Sequence, residues 1–183
     1  MTVTGTRTSY GVVAQGFHWL TVLLVGAAFL LSAGGPESRV YDVSRADSLL
    51  LHETLGMLVL VVLVLRLAWR AVDRAPQEPE MPGWMALSSR LVHWLLYALL
   101  VAVPVTAVIG AWYEGHAVTV YGLGAIGPWV TASPTLGQLI SRLHPLLGDA
   151  IMWVAGLHAA AALFHHFLMK DRVLLSMLPG TRA

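Results

Sequence analysis

Eight histidines punctuate a chain of 183 residues of which 57% are hydrophobic and only 11% charged. Half of them, His144, His158, His165 and His166, fall in one apolar stretch, LHPLLGDAIMWVAGLHAAAALFHH, from Leu143 to His166. An ionisable side chain in such a segment is costly in lipid and marks a functional site by default. His144 and His158 stand fourteen positions apart (158 − 144). A helix separates them by roughly 21 Å along its axis and, at about 100° per residue, returns them to within roughly 40° of one face. One face therefore presents an imidazole near each end.

Imidazole ligates metals and haem iron and moves protons. The chain has no cysteine, so disulfides, thiolate metal sites, iron–sulfur clusters and covalently attached haem are all excluded. Redox or metal chemistry here must use histidine. A zinc site fits poorly, because the histidines lie too far apart to share an ion and no carboxylate cluster completes a ligand set. A proton relay through His144, His158 and His165 would have to cross gaps of roughly 10 to 21 Å with no ionisable group between.

The elements that position these residues are membrane spans. A bilayer core of about 30 Å takes roughly 20 apolar residues in a helix. Four segments qualify: 11–33, 49–69, 91–113 and 144–169. The first is longer than the apolar region of a secretory signal and runs on through Gly34, Gly35 and Pro36 without a clean small-residue cleavage pattern, so it is expected to be a span. The stretch from Gly115 to Ser141 also lacks charge, yet Gly122, Gly124, Gly127, Pro128, Pro134 and Gly137 interrupt it. A lipid-exposed helix must satisfy its own backbone, so a surface loop is expected there, with room for a short helix over Thr135–Arg142. His116 in that loop reads as solvated.

The expected fold is an all-α membrane protein, a single domain over 1–183 formed by a four-helix transmembrane bundle. Four spans put both termini on one side. That side holds Arg7, Arg66, Arg70, Arg74, Arg90, Lys170, Arg172 and Arg182, against Arg39, Arg45 and Arg142 on the other. Basic residues concentrate in the cytoplasm, which places both termini there. Trp19, Trp69, Trp84, Trp112, Trp129 and Tyr113 fall near span ends, as an interfacial aromatic belt does.

Alternating span direction then matches the histidines by depth. His18 begins a span that enters from inside, level with His158, and His52 begins a span that enters from outside, level with His144. Two histidine pairs, one in each leaflet, are the arrangement expected for two b haems held between helices of a bundle. Small residues support it. LHETLG at Leu51–Gly56 and LHPLLG at Leu143–Gly148 each put a glycine one turn after the histidine, and Ala155 and Ala162 flank His158, leaving room for a flat macrocycle. Histidine can also serve as an interhelical hydrogen-bond partner, and small residues are common where membrane helices pack. That alternative gives no reason for two matched depths.

The runs GLHAAAALFHHFLMKD at Gly156–Asp171 and LLSMLP after it, GFHWL at Gly16–Leu20 and LHETLG make the chain resemble the bacterial cytochrome b561 family over nearly its whole length. The resemblance implies four helices, two b haems and electron transfer from periplasmic superoxide to membrane ubiquinone, in the bacterial inner membrane. It implies the same ligand pairs, His18 with His158 and His52 with His144. Pro145 after His144 and the individual outer loop, Glu114 to Arg142, depart from the family pattern.

Three further assignments follow as expectations. His165 is a candidate to hydrogen-bond and protonate a quinone, against a plain interfacial basic cluster with His166 and Lys170. His93, near Arg90, is a contact to a haem propionate or to quinone, or a packing hydrogen bond. Arg39, Arg45 and Arg142 are candidates to steer superoxide, although Glu37, Asp42, Asp47 and Glu114 leave that surface net negative. Two rival functions remain open: a cytochrome b anchor relaying electrons between a hydrogenase- or dehydrogenase-type partner and quinone, and a haem-free transporter or structural membrane protein.

Overall fold

The computed structural model describes residues 9–32, 46–73, 76 and 81–180. Four long helices dominate it: α1 (Val12–Leu30), α2 (Ala46–Val72), α3 (Gly83–Tyr113) and α4 (Pro134–Phe164). All four are long and apolar enough to cross a membrane. Their large apolar side chains point outward in numbers no water-soluble fold tolerates, among them Leu23, Leu30, Val64, Leu91, Trp94, Trp153 and Leu157. The bundle is thus apolar on the face it turns to lipid.

Helix α1 packs on α2, and α3 on α4, while contact between the two pairs is sparse. The α3–α4 seam closes through small residues: a methyl group on Gly110 would come within 2.6 Å of the Ser141 hydroxyl, and one on Gly137 within 2.8 Å of the Glu114 amide nitrogen. Backbones can approach this closely only where side chains are minimal. The pairs meet at a waist, where Val59 and Leu63 of α2, Leu99 and Leu100 of α3, and Ile151 of α4 are buried. Leu24 and Val25 of α1 pack against that layer. Ile151 lies midway between His144 and His158 in sequence. The apolar waist therefore separates the levels of the two histidines.

Two parts of the chain differ from expectation. α4 begins at Pro134 and runs unbroken through Pro145, so the short lead-in helix and the fourth span are one element. Proline at the first helical position suits a helix start. Between α3 and α4, Val118–Val120 (β1) and Gly124–Ile126 (β2) form a two-stranded antiparallel hairpin that pairs Val118 with Ile126 and Val120 with Gly124. It is no plain loop. Val118 and Val120 are buried, and His116 just before them is half-buried with contacts of its own rather than solvated.

At the opposite end the chain folds back on itself. α4 gives way to a wider π-type turn over His165–Met169, closed by Lys170 in the left-handed conformation, φ 55°. The segment after it lies against the start of α1: the Tyr10 amide donates to the Ser176 carbonyl at 3.1 Å, Gln15 Nε2 to the same carbonyl at 3.1 Å, and Trp19 Nε1 to the Met177 carbonyl at 2.8 Å. Both ends of the described chain thus share one end of the bundle.

Candidate functional site

Two pairs of histidines face each other across the gap between the helix pairs. At the hairpin end of the bundle, labelled the outer pair, His52 of α2 and His144 of α4 have ring centres 5.9 Å apart, the planes crossing at 88°. Each ring is held by a backbone carbonyl of another helix. His52 Nδ1 lies 2.8 Å from the Ala28 carbonyl of α1, and His144 Nδ1 lies 2.8 Å from the Val103 carbonyl of α3. A carbonyl only accepts, so both Nδ1 atoms carry the proton and both Nε2 atoms keep a lone pair. Ala28 stands in the last turn of α1, where carbonyls lack helical partners; His52 supplies one.

This is the hydrogen-bond pattern of imidazoles that bind metal through Nε2. A metal bridging two imidazoles with bonds of about 2 Å each needs roughly 6 Å between ring centres. The spacing fits. Gly56 and Gly148, one turn beyond the two histidines, are half-buried, yet a methyl group on either would meet no atom within 4 Å. Neither glycine is packed against another helix, which leaves both positions open to a flat macrocycle.

The inner pair, His18 of α1 and His158 of α4, has ring centres 6.4 Å apart, the planes crossing at 66°. The spacing again suits one shared iron, but the surroundings differ. Among the described residues, neither ring has a backbone carbonyl as partner. Instead Arg66 Nη2 of α2 approaches His18 Nδ1 at 3.5 Å, the outer limit of a hydrogen bond. His93 of α3 stands with its ring centre 5.1 Å from that of His158. Its Nδ1 donates to the Ser89 carbonyl at 2.7 Å, leaving Nε2 as an acceptor. His93 is too close to His158 for an iron to lie between them, and the three inner imidazoles do not close around a single ion. Sequence reading placed His93 at this depth; its approach to His158 depends on helix rotation, which depth does not report.

The hairpin is latched to α2 beside His52. The residues after His52 hold the hairpin: the Thr119 amide donates to Glu53 Oε2 at 2.7 Å and the Tyr121 amide to Thr54 Oγ1 at 3.0 Å. Trp112 Nε1 donates to the Ile126 carbonyl at 3.0 Å, and the Trp112 ring packs on Trp129 with centres 4.8 Å apart. Glu53 thus has a structural partner that no sequence signal announced.

The donor set, its orientation and its spacing fit b haem, held by side chains from facing helices of a bundle. The model of the prokaryotic cytochrome b561 family matches residues 9–180. The chain belongs to that family. It is similar to cytochrome b561 homolog 2 of Escherichia coli (strain K12), 28% identical over 179 residues that cover 97% of this chain and 95% of the relative. The probable superoxide oxidase CybB of Yersinia pestis is 30% identical over 176 residues, 94% of this chain and 97% of the relative. Cytochrome b562 of Cereibacter sphaeroides is 31% identical over 167 residues, 88% and 89% respectively. As a cytochrome b561 the chain is a multi-pass membrane protein of bacterial electron transport and binds b haem.

The remaining candidates are placed as follows. Arg142 is exposed on α4, two residues before His144; Arg39 and Arg45 lie outside the described residues. His165 sits in the π-type turn, where Nδ1 meets Asp171 Oδ2 at 2.5 Å, and the other oxygen of that carboxylate accepts the Val173 amide at 3.0 Å. α4 is regular through Phe164 and the His165 amide still bonds to the Ala161 carbonyl one turn back, so seven residues after His158 the chain is back near the same face, and Asp171 across the wider turn orients the ring.

Proposed function

We propose that this cytochrome b561 is a di-haem oxidoreductase passing electrons from periplasmic superoxide to ubiquinone in the inner membrane. The observation that carries the reading is the pair of facing imidazole couples, 5.9 and 6.4 Å between ring centres, on either side of an apolar waist. His52 with His144 would hold one haem and His18 with His158 the other. Bound there, the two groups supply one-electron redox chemistry at two depths. The superoxide assignment draws on the resemblance and on the name of the 30% identical relative, a probable superoxide oxidase.

The overall reaction balances simply. Two superoxide anions each lose one electron and leave as dioxygen; one ubiquinone takes both electrons and two protons and leaves as ubiquinol. The protein's residues provide position, charge and protons. The carbonyls of Ala28 and Val103 fix the outer imidazoles. Val59, Leu63, Leu99, Leu100 and Ile151 keep water out between the two levels. With Tyr10 and Ser176 joined near the start of α1, and with eight of the eleven basic residues expected from the sequence on the side of the termini, the inner pair and the termini face the cytoplasm.

Arg142, with Arg39 and Arg45, gathers the superoxide anion at the outer face. His165 is the hydrogen-bond partner and proton relay of the quinone: Asp171 fixes its ring through Nδ1, and Nε2 is the nitrogen left for a quinone oxygen. His93 lines the edge of the inner pair as a contact to haem propionate or quinone.

The test is to expose the purified oxidised protein to a superoxide flux and follow its visible spectrum, with superoxide dismutase as control. Rapid haem reduction abolished by the dismutase is expected. A protein that dithionite reduces but superoxide does not would transfer the assignment to a relay subunit fed by a protein donor.

A further inference from the structure

At the inner end of the bundle a shallow groove opens between α1, α2 and α3, lined by Arg66, Trp69, Arg70, Asp73 and Tyr97 among others. Arg66 and Arg70 are one turn apart on α2 and both stack on a single ring, their guanidinium carbons 5.6 and 6.0 Å from the centre of Tyr97. Stacking of this kind holds a guanidinium while leaving its edge N–H groups to bond elsewhere. Arg66 is half-buried within the α2 span. A charge at such a position calls for an acceptor.

The present neighbour of Arg66 cannot fill that role once His18 binds iron. Arg66 Nη2 faces His18 Nδ1 at 3.5 Å, and a guanidinium only donates, so Nδ1 must be the acceptor in that contact. The proton of a neutral imidazole then sits on Nε2. Iron ligation through Nε2 needs the opposite tautomer, with the proton on Nδ1. Two donors would then face each other, and Arg66 must turn to a different acceptor within reach of the groove.

We infer that the groove is the carboxylate site of the inner haem, with Arg66 and Arg70 binding the two propionate groups. This rests on the di-haem reading, and it leaves His93 to the quinone. Two guanidinium groups match two carboxylates in charge and geometry, and removing one from beside a haem favours the oxidised iron. At an effective dielectric constant near 20 and a separation of about 10 Å, the oxidised-to-reduced ratio shifts roughly tenfold.

The test is a spectroscopic redox titration of Arg66→Gln and Arg70→Gln holoprotein, each reconstituted with haem and with haem dimethyl ester, whose carboxylates are blocked. With haem, Arg66→Gln is expected to shift the inner haem roughly tenfold toward the oxidised form, Arg70→Gln less, with the outer haem unmoved. Capture of the haem by apomyoglobin is followed alongside: with haem, Arg66→Gln and Arg70→Gln should release the inner haem faster than the parent, and with the ester parent and variants should release it alike. Equal acceleration with the ester would overturn the inference, because the guanidinium would then hold the site without binding a carboxylate. So would a shift that appears only in vesicles containing an anionic phospholipid and is absent in detergent or zwitterionic lipid, since the groove would then hold a lipid phosphate. His18→Ala separates the underlying reading: if that variant keeps both haems low-spin, the placement of the inner haem fails, whatever the arginines do.

Discussion

The outer and inner histidine pairs are alike in spacing and unlike in how they are held. At the outer pair both Nδ1 atoms bond to backbone carbonyls, from Ala28 and Val103, and a hairpin latched to Glu53 and Thr54 covers the end of α2. At the inner pair the neighbours are side chains, Arg66 beside His18 and His93 beside His158, and a groove opens next to them. Backbone carbonyls hold a ring in one orientation and add no net charge. Side chains bring charge and can move. The outer site is thus built for a fixed geometry, and the inner one for electrostatic adjustment.

The comparison breaks most severely if the open space beside the outer rings is filled. Gly148→Leu places a side chain where even a methyl group meets nothing within 4 Å, so the bundle should assemble while the outer haem is lost and the inner one kept. Haem stoichiometry by the pyridine haemochrome assay, alongside helical content, checks this. Loss of helical structure instead would mean that Gly148 serves packing rather than a cofactor.

Next in size is the cover. Glu53→Ala removes the acceptor of the Thr119 amide, an effect of about 1 to 3 kcal/mol for a part-buried charged partner. Exchange of the 118–126 amides should accelerate by roughly tenfold or more, with α2 and α3 unchanged. Glu53→Gln keeps an acceptor and should fall between. Hydrogen-exchange mass spectrometry of the holoprotein reads both.

At the inner end, His165→Ala should raise the apparent KM for ubiquinone roughly tenfold by removing one hydrogen bond, with both haems retained. Asp171→Asn, which replaces the carboxylate that orients the His165 ring, should lower kcat for quinone reduction and affect KM less. Steady-state kinetics at several pH values distinguish the two. The smallest effect is expected at the outer surface, where Arg142 is exposed. Arg142→Gln should lower the superoxide rate about twofold at low salt, and the difference should fade as the Debye length shortens to about 8 Å near physiological salt.

The histidine pairs were legible because depth in a bundle follows from span direction alone, and fourteen residues return a helix nearly to the same face. Rotation about each helix axis is not encoded that way. His93 could therefore be placed at a depth but not next to His158, and Arg66 could be counted toward topology but not seen against His18 and Tyr97. The outer segment was read as a loop because glycine and proline punctuate it. Its three-residue strands are too short for a periodic signal, and tertiary bonds to Glu53 and Thr54 hold them. The turn at His165 leaves no sequence signal, because π-type geometry keeps the apolar pattern intact while changing the angle per residue.

The most direct measurement is haem content per chain, with low-temperature electron paramagnetic resonance, for the parent protein, His52→Ala and His18→Ala. Two matched imidazole pairs predict two haems and two low-spin signals in the parent, with a different signal lost in each variant. A parent with a single haem, or variants that lose the same signal, would contradict the pairing of His52 with His144 and of His18 with His158.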